Sequence, residues 1–314
     1  MAKAIVFPGQ GSQSVGMGKE LFEAFSVARD VFHEVDDVLN QKLSTLIFEG
    51  PLEELTLTSN AQPALMAVSM AVVRILEKEG NISMGRFQMA AGHSLGEYAA
   101  LAAAGSITLQ EAARLLRIRG DAMQKAVPVG KGGMVAILGG TFTDLEAIIQ
   151  EASKGGICVI ANDNSDGQVV LSGEKVAIDR VPEIAKNYSV KKCIPLSVSA
   201  PFHCVLMNPA ADAMEEALAP IHFKDPILPI IPNVTAALET QGSAFKSLLV
   251  QQVTGQVRWR ETMDTMRKEG LKTVFELGSG KVLSGLFKRA IEGVETHAVQ
   301  TPQDIEAILL TLNA

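Results

Sequence analysis

The chain has 314 residues, of which 47% are hydrophobic, and its formal net charge at pH 7 is −7. The negative balance argues against a nucleic-acid-binding protein, and no run of Lys and Arg is interleaved with aromatic residues. Three cysteines at unrelated spacings, Cys158, Cys193 and Cys204, favour a reducing compartment and argue against a zinc site. Because no signal peptide and no apolar run of membrane-spanning length is visible, we expect a soluble cytoplasmic monomer.

Short β-rich runs alternate with helical segments along the chain. Residues 4–7, 87–91 and 273–277 are predicted strands, and the strongly apolar residues 61–76 indicate a buried core helix. Thr108, with a glutamate three residues later, is typical of a capping box at the start of a helix. This alternation predicts an α/β fold whose large part is α/β-hydrolase-like, with a mainly parallel sheet.

The middle of the chain follows a different order of elements. The pattern predicts β-α-β-β-α-β, which is the ferredoxin-like arrangement, and we therefore expect a small subdomain over residues 128–197. A large subdomain would comprise residues 1–127 and 198–314, with the active site between the two. The six predicted elements cover residues 134–138, 143–153, 157–161, 168–171, 174–187 and 190–196, with a polar turn over 162–167.

The segment Gly92-His93-Ser94-Leu95-Gly96 fits the G-x-S-x-G nucleophile elbow. In such an elbow a serine sits on a tight turn between a strand and a helix, where free backbone N–H groups can hold an oxyanion. Ser94 is therefore the candidate nucleophile. The alternative is a serine that only caps the helix.

A serine nucleophile needs a base, and His203 is the best candidate because it lies in a loop directly before a predicted helix over 205–218. His93 adjoins Ser94, and its side chain is expected to point elsewhere. Asp163 and Asp166 lie in a polar turn that is expected to face solvent, so no acid is marked as a partner. We expect an amide or a backbone carbonyl to orient His203, although a loop histidine bonded to backbone remains the alternative.

Arg119 falls inside the apolar stripe of its predicted helix. A guanidinium that faces the interior is costly unless it is paired. The pattern leaves two interpretations open: a structural ion pair with a protein carboxylate, or a site that grips a substrate carboxylate through two hydrogen bonds.

A glycine-rich loop with Gln10 at its centre follows the first strand. It lacks both the G-x-G-x-x-G spacing and a Walker lysine, so a nucleotide phosphate site is not expected. A loop at the carboxyl end of a strand can instead offer backbone N–H groups to a neighbouring active site.

These segments, taken together and in order, closely resemble the malonyl-CoA:acyl carrier protein transacylases of dissociated fatty acid synthesis. They are also similar to the acyltransferase domains of polyketide and fatty acid megasynthases. The resemblance covers about residues 4–290 and implies a two-subdomain fold. The matching segments are Phe7-Pro8-Gly9-Gln10-Gly11-Ser12-Gln13, Gly92-His93-Ser94-Leu95-Gly96-Glu97-Tyr98, Arg119-Gly120 with Met123-Gln124, Phe202-His203, and Gln252 with Val257-Arg258-Trp259.

The resemblance also implies roles for individual residues. Ser94 takes the malonyl group from malonyl-CoA and releases coenzyme A, while His203 acts as base and then acid. The main-chain carbonyl near Gln252 holds His203, and Arg119 binds the malonyl carboxylate. The N–H groups of Gln10 and Leu95 form the oxyanion hole, and Phe202 is a bulky ring that could exclude an α-methyl branch.

The acyl acceptor implied by the resemblance is the phosphopantetheine thiol of holo acyl carrier protein, in a ping-pong reaction without metal or other cofactor. Carrier proteins are acidic, so an enzyme of net charge −7 must present a local basic patch. Lys281, Lys288 and Arg289 recur along a helix-like segment and are the candidate docking residues. Scattered solvated charges are the alternative.

Two other functions remain open at this point. A serine thioesterase or esterase would explain the elbow, but it would not explain an interior arginine or a histidine in the middle of the chain. A non-catalytic module that only docks a carrier protein would not need Ser94, His203, Arg119 and Gln10 together.

Overall fold

The computed structural model describes residues 2–196, 198 and 200–313. These residues form two four-stranded sheets surrounded by helices. The strands are β1 Ala2–Phe7, β2 Met89–Gly92, β3 Gly132–Gly139, β4 Cys158–Ser165, β5 Gln168–Glu174, β6 Val190–Pro195, β7 Leu271–Leu277 and β8 Glu295–Val299.

The helices vary from single turns to 21 residues. None of the described helices combines the length and apolar character that a membrane crossing requires. In chain order they are α1 Lys19–Ala24, α2 Ser26–Leu39, α3 Leu43–Glu49, α4 Leu52–Thr56, α5 Thr58–Lys78, α6 Gly96–Ala103, α7 Leu109–Lys125, α8 Phe142–Ala152, α9 Lys175–Ile178, α10 Val181–Ile184, α11 Asn208–Leu218, α12 Gly242–Thr254, α13 Trp259–Lys268, α14 Val282–Ala290 and α15 Pro302–Asn313.

The first sheet is parallel, with strand order β2-β1-β7-β8. Its central strands β1 and β7 are largely buried and predominantly apolar, as expected when helices cover both faces of a parallel sheet. Helix α5 is buried over almost its whole length and packs in the main hydrophobic core, as its apolar sequence predicts. The predicted α/β fold with a mainly parallel sheet is confirmed.

The second sheet is antiparallel, with strand order β4-β5-β3-β6. Its elements follow the chain in the order β-α-β-β-α-β, so the ferredoxin-like arrangement is confirmed. The subdomain boundaries, residues 1–127 with 198–314 and residues 128–197, stay a prediction.

Two local predictions in this region are wrong. The single helix predicted over 174–187 is broken into α9, α10 and a 3-10 turn, with Pro182 in the first turn of α10. The proline ring has no N–H to continue an earlier helix, so the chain restarts there. The polar turn predicted over 162–167 is instead mostly strand, because β4 continues to Ser165.

The polar end of β4 is stabilised by a partner segment from the far end of the chain. The Asp163 N–H donates to the Val257 carbonyl at 2.9 Å, and the Val257 N–H donates to Ala161 at 2.8 Å. The Asp163 carboxylate is buried and accepts from Arg260, with a shortest distance of 2.7 Å. Asp163 therefore does not face solvent as expected, whereas Asp166 in the hairpin turn is exposed.

The long helices α5 and α7 cross closely, and their separation is set at Gly120. A Cβ built on Gly120 would lie 2.6 Å from both the Ser59 Cα and the Thr58 carbonyl oxygen. Both neighbours are backbone atoms, so neither can move aside as a flexible side chain could. The crossing therefore fixes where Arg119, the residue before Gly120 on α7, enters the core.

We expect Gly120→Ala to lower the free energy of unfolding by about 1–3 kcal/mol, because the added methyl group overpacks the crossing. Gly285→Ala in α14 is the matched control, since its Cβ would meet only the flexible Arg289 guanidinium, at 3.4 Å. That control should be neutral or stabilising by up to about 1 kcal/mol through helix propensity. Chemical denaturation of both variants measures the difference, and equal effects would contradict the packing account.

Candidate active site

Ser94 lies on a tight turn between β2 and α6. Its backbone has φ 52°, a left-handed conformation that is uncommon for a residue with a side chain. A Cβ on Gly92 would approach the Gly96 carbonyl to 1.9 Å, and a Cβ on Gly96 would lie 2.4 Å from the Phe7 carbonyl oxygen. The elbow therefore needs glycine at both flanking positions, and it lifts Ser94 to the carboxyl end of the parallel sheet.

The buried Asn233 braces the elbow from a separate turn. Its Oδ1 accepts from the Ser94 N–H at 2.7 Å, and its Nδ2 donates to the Gly92 carbonyl at 2.7 Å. These two bonds satisfy backbone groups that the strained turn leaves without a helix or strand partner. Sequence reasoning missed Asn233, because an asparagine after a proline in a loop indicates only a turn.

His203 lies within hydrogen-bond distance of Ser94. Ser94 Oγ and His203 Nε2 are 2.8 Å apart, and His203 Nδ1 lies 2.9 Å from the Gln252 carbonyl oxygen and 3.1 Å from that of Gly255. Carbonyl oxygens only accept, so Nδ1 carries the proton and Nε2 is free to accept one from Ser94. Backbone carbonyls thus occupy the place that a carboxylate takes in a catalytic triad.

The environment of His203 favours the neutral ring. Its pKa falls from 6.5 to about 3, first because of burial and then because of the positive charge of Arg119. The imidazole is therefore neutral at physiological pH and can accept the Ser94 proton.

Arg119 is buried and directed at the nucleophile. Its Nη2 donates to Ser94 Oγ at 3.0 Å and to Gln252 Oε1 at 2.8 Å, and its Nη1 donates to Gln62 Oε1 at 2.8 Å. The guanidinium carbon lies 5.8 Å from the centre of the Tyr98 ring. All of these partners are neutral, and Nε has no partner among the described residues.

No described carboxylate oxygen lies within ion-pair distance of Arg119. Burial lowers the pKa of Arg119, and Tyr98 and Glu97 partly oppose that shift. A charged guanidinium held by neutral amides is ready to bind an anion that enters beside Ser94.

Ser94, His203 and Arg119 line one cavity of about 310 Å³. The lining combines polar side chains with apolar ones, Phe202 among them. The cavity includes Gln62, Asn162 and His93, which sequence reasoning did not assign to the site. The full lining is Gln10, Gly11, Gln13, Thr56, Gln62, His93, Ser94, Arg119, Met123, Met134, Asn162, Leu196, Val198, Phe202 and His203.

The sequence contained a clue to the role of Gln62. It is a polar residue within the apolar stretch that forms α5, and it is buried. Its Oε1 fixes Arg119, while its Nε2 lies 3.6 Å from the Met123 sulfur. A buried polar side chain on a core helix needs a partner, and here that partner is Arg119.

The backbone N–H groups of Gln10 and Leu95 have no hydrogen-bond acceptor within the described part of the chain. Leu95 immediately precedes α6. Gln10 lies in the loop after β1, and its side-chain amide donates to Thr58 Oγ1 at 3.3 Å. Gln10 lies in the cavity lining, and Leu95 directly follows Ser94 in the chain.

His93 is engaged elsewhere. Its Nε2 bonds to Asn164 Oδ1 at 2.9 Å, and its ring packs against Trp259 with ring centroids 5.4 Å apart. The bond to Asn164 ties the elbow to strand β4 of the antiparallel sheet. His203, and not His93, is the histidine in contact with Ser94.

Lys281, Lys288 and Arg289 are exposed on or beside α14. The loop before this helix contacts the glycine-rich loop, because Ser279 Oγ donates to the Ser12 carbonyl at 2.6 Å. Arg289 donates to Gln168 Oε1 at 3.1 Å at the start of β5.

The cavity brings together a nucleophile, a neutral base and a cationic anchor, and the amides of Gln10 in its lining and of Leu95 beside the nucleophile have no acceptor among the described residues. This set suits transfer of an acyl group that carries its own negative charge. Among the residues that the structure describes, no group of three His, Cys, Asp or Glu side chains could hold a metal ion.

Comparison with known proteins agrees with this chemistry. The family described as acyl transferase domain matches residues 4–302. The malonyl CoA-acyl carrier protein transacylase of Bacillus subtilis (strain 168) is 45% identical over 313 residues, covering 98% of this chain and 96% of that protein.

Solved structures give the same result. The crystal structure of acyl-carrier-protein-S-malonyltransferase from Bartonella henselae is 52% identical, with TM-score 0.97 and full coverage of both chains. A malonyl-transacylase solved in complex with a type II PKS acyl-carrier protein is 40% identical, with TM-score 0.95, covering 99% of this chain and 100% of that chain.

Proposed function

The chain belongs to the acyl transferase family, and within it to the malonyl-CoA:acyl carrier protein transacylases, and we propose that it transfers malonyl groups from malonyl-CoA to holo acyl carrier protein. The observation that carries this proposal is the buried Arg119 guanidinium, which lies 3.0 Å from Ser94 Oγ and has only neutral partners. A malonyl group bound as an ester to Ser94 would present its free carboxylate to that cation. The product supplies fatty acid biosynthesis.

In the first half-reaction, Ser94 Oγ attacks the thioester carbonyl while His203 Nε2 takes the hydroxyl proton. The negative oxygen of the tetrahedral intermediate is held by the N–H groups of Gln10 and Leu95. Collapse breaks the C–S bond, and His203 returns its proton to the leaving thiolate of coenzyme A. A malonyl ester on Ser94 remains.

In the second half-reaction, the phosphopantetheine thiol gives its proton to His203 and attacks the ester. The C–O bond to Ser94 breaks, and the proton passes back to the serine oxygen. Each step uses only side chains and amides of this chain, so we propose that no cofactor is required.

Arg119 provides selectivity with an attractive and a repulsive part. A malonyl carboxylate satisfies the guanidinium through charge-assisted hydrogen bonds. An acetyl group leaves the same buried cation without a carboxylate in direct contact, which is less favourable. A fixed malonyl chain also leaves little room for a water molecule to attack the ester.

The first test is the acyl-enzyme itself. Mixing the protein with malonyl-CoA should give a mass increase of one malonyl group, and Ser94→Ala should abolish it. Intact-mass spectrometry measures the adduct, and added holo acyl carrier protein should then carry the malonyl group. Release of free malonate in place of transfer would indicate a thioesterase, and absence of an adduct would indicate a non-catalytic docking module.

Replacing the anchor should change substrate preference. We expect Arg119→Ala to raise the activation free energy of malonyl transfer by about 2–5 kcal/mol, because a charge-assisted contact is lost. The rate should fall by roughly 30-fold to several thousand-fold. Acetyl transfer should change far less. Arg114→Ala, on the exposed face of α7, is the matched control and should leave both rates unchanged. A uniform loss for both acyl groups would mean that Arg119 is structural.

We propose that the acidic carrier protein docks beside α14, where Lys281, Lys288 and Arg289 give a local positive surface on an acidic enzyme. The contact between the loop before α14 and the glycine-rich loop supports this placement, because it lies next to the cavity.

Charge reversal on α14 tests the docking surface. Lys288→Glu combined with Arg289→Glu should raise KM for the carrier protein by roughly tenfold and leave KM for malonyl-CoA unchanged, since rim charges act mainly on association. Lys19→Glu combined with Lys78→Glu makes the same change in net charge at exposed positions outside the cavity lining. Equal effects on both substrates, or equal effects of both double variants, would contradict docking at α14.

A further inference from the structure

A buried carboxyl lies one side chain away from Arg119, and the transfer steps above do not use it. Glu97 is fully buried at the start of α6. Its Oε2 accepts from the Asn233 N–H at 2.9 Å and from Gln252 Nε2 at 2.8 Å. Its Oε1 has no partner among the described residues. A buried carboxyl oxygen without a donor has a place for a proton.

The Gln252 amide connects Glu97 with Arg119. Its Nε2 donates to Glu97 and to the Ser94 carbonyl, at 2.8 and 3.0 Å, and its Oε1 accepts from Arg119 at 2.8 Å. The carboxylate can only accept and the guanidinium can only donate, so together they fix which way the amide faces. Glu97 thus positions Arg119 through Gln252 without touching it.

The charges around this pair can be counted group by group. Arg119 on α7 is the cation. Tyr98, the next residue on α6, is buried and its pKa is raised by burial, so it is neutral. His203 and His93 are neutral because burial lowers the pKa of each. Glu97 is therefore the group whose protonation sets the net charge of the empty site.

Malonyl binding changes this balance. With Glu97 ionised, Arg119 and Glu97 cancel in the empty site, and an arriving malonyl carboxylate would leave one excess negative charge among buried side chains. Burying such a charge is unfavourable, and a neighbouring carboxyl relieves it by taking up a proton. Burial already raises the pKa of Glu97 to about 7 against the opposing effects of Asn233, Gln252 and Arg119, so the proton is accessible near neutral pH.

We propose that Glu97 is a positioning residue and the internal counter-charge of Arg119, held in place through Gln252, and that it takes up a proton from solvent when a malonyl carboxylate binds. The proposal builds on the function proposed above and adds a proton-coupled exchange of one carboxylate for another. In the empty enzyme the ionised Glu97 balances Arg119. In the malonyl enzyme the substrate carboxylate does so, and Glu97 is neutral.

The direction of the pH dependence follows. Above pH 7 Glu97 is ionised in the empty enzyme, so malonyl binding requires uptake of a proton. This coupled binding becomes weaker as the proton concentration falls. For malonyl-CoA, kcat/KM should therefore fall about tenfold or more between pH 6.5 and 8.5. For acetyl-CoA, which shares every titrating group of coenzyme A and lacks the carboxylate, it should not show this fall.

Glu97→Gln keeps the shape of the side chain and an oxygen for the Asn233 and Gln252 donors, and it cannot titrate. In this variant, kcat/KM for malonyl-CoA should no longer fall between pH 6.5 and 8.5. Glu276→Gln is the matched control, because Glu276 is a buried carboxyl that accepts from the Leu283 and Ser284 N–H groups at the start of α14. It should keep the profile of the unaltered protein.

A second measurement needs no variant and stands even if Glu97→Gln does not fold. Enzyme and malonyl-CoA are mixed at pH 7.5 in a weakly buffered solution that contains an indicator dye. The reaction should consume roughly half a proton or more from solvent for each Ser94 ester formed, whereas the reaction with acetyl-CoA should consume none. A malonyl ester that forms without proton uptake, or with the same pH profile in Glu97→Gln, overturns this inference and leaves the transferase proposal intact. Failure to form the ester at all is the separate result that overturns the transferase proposal.

Discussion

The burial of a guanidinium among neutral partners is the constraint on which the site depends. Arg119 enters the core where α5 and α7 cross at Gly120, and it receives amide oxygens where a carboxylate would be expected. A protein carboxylate in direct contact would neutralise the guanidinium and fill the space beside it. In the transfer that we propose, that space is left for the carboxylate of the substrate.

Gln252 joins the separate parts of the site into one unit. Its backbone carbonyl orients His203, while its side chain bonds to Arg119, Glu97 and the Ser94 carbonyl. Groups that share one side chain cannot shift independently, so the base, the anion anchor and the nucleophile elbow keep a fixed geometry. Asn233 has the same effect on the backbone of the elbow.

The sequence predicted those features that arise from local pattern. The elbow around Ser94 follows from glycine spacing, and the interior position of Arg119 follows from helical periodicity, so both were visible before the fold was known. The role of Asn233 was not visible, because it depends on a turn that reaches the elbow from another part of the chain. Asp163 was misplaced for a related reason: a polar run indicates a turn unless a distant partner, here Arg260 and the Val257 backbone, pairs with it.

In the transfer that we propose, the carbonyl-held imidazole serves the forward and the reverse reaction alike. Exchange of an acyl group between two thiols has nearly equal free energies on its two sides, so neither product is favoured by the chemistry itself. A ring that two carbonyl dipoles orient, without a full negative charge beside it, holds an added proton weakly and surrenders it to serine or to either thiol with similar ease. We expect such a site to equilibrate the two thioesters, so that the concentrations of both thioesters and both thiols set the net flux.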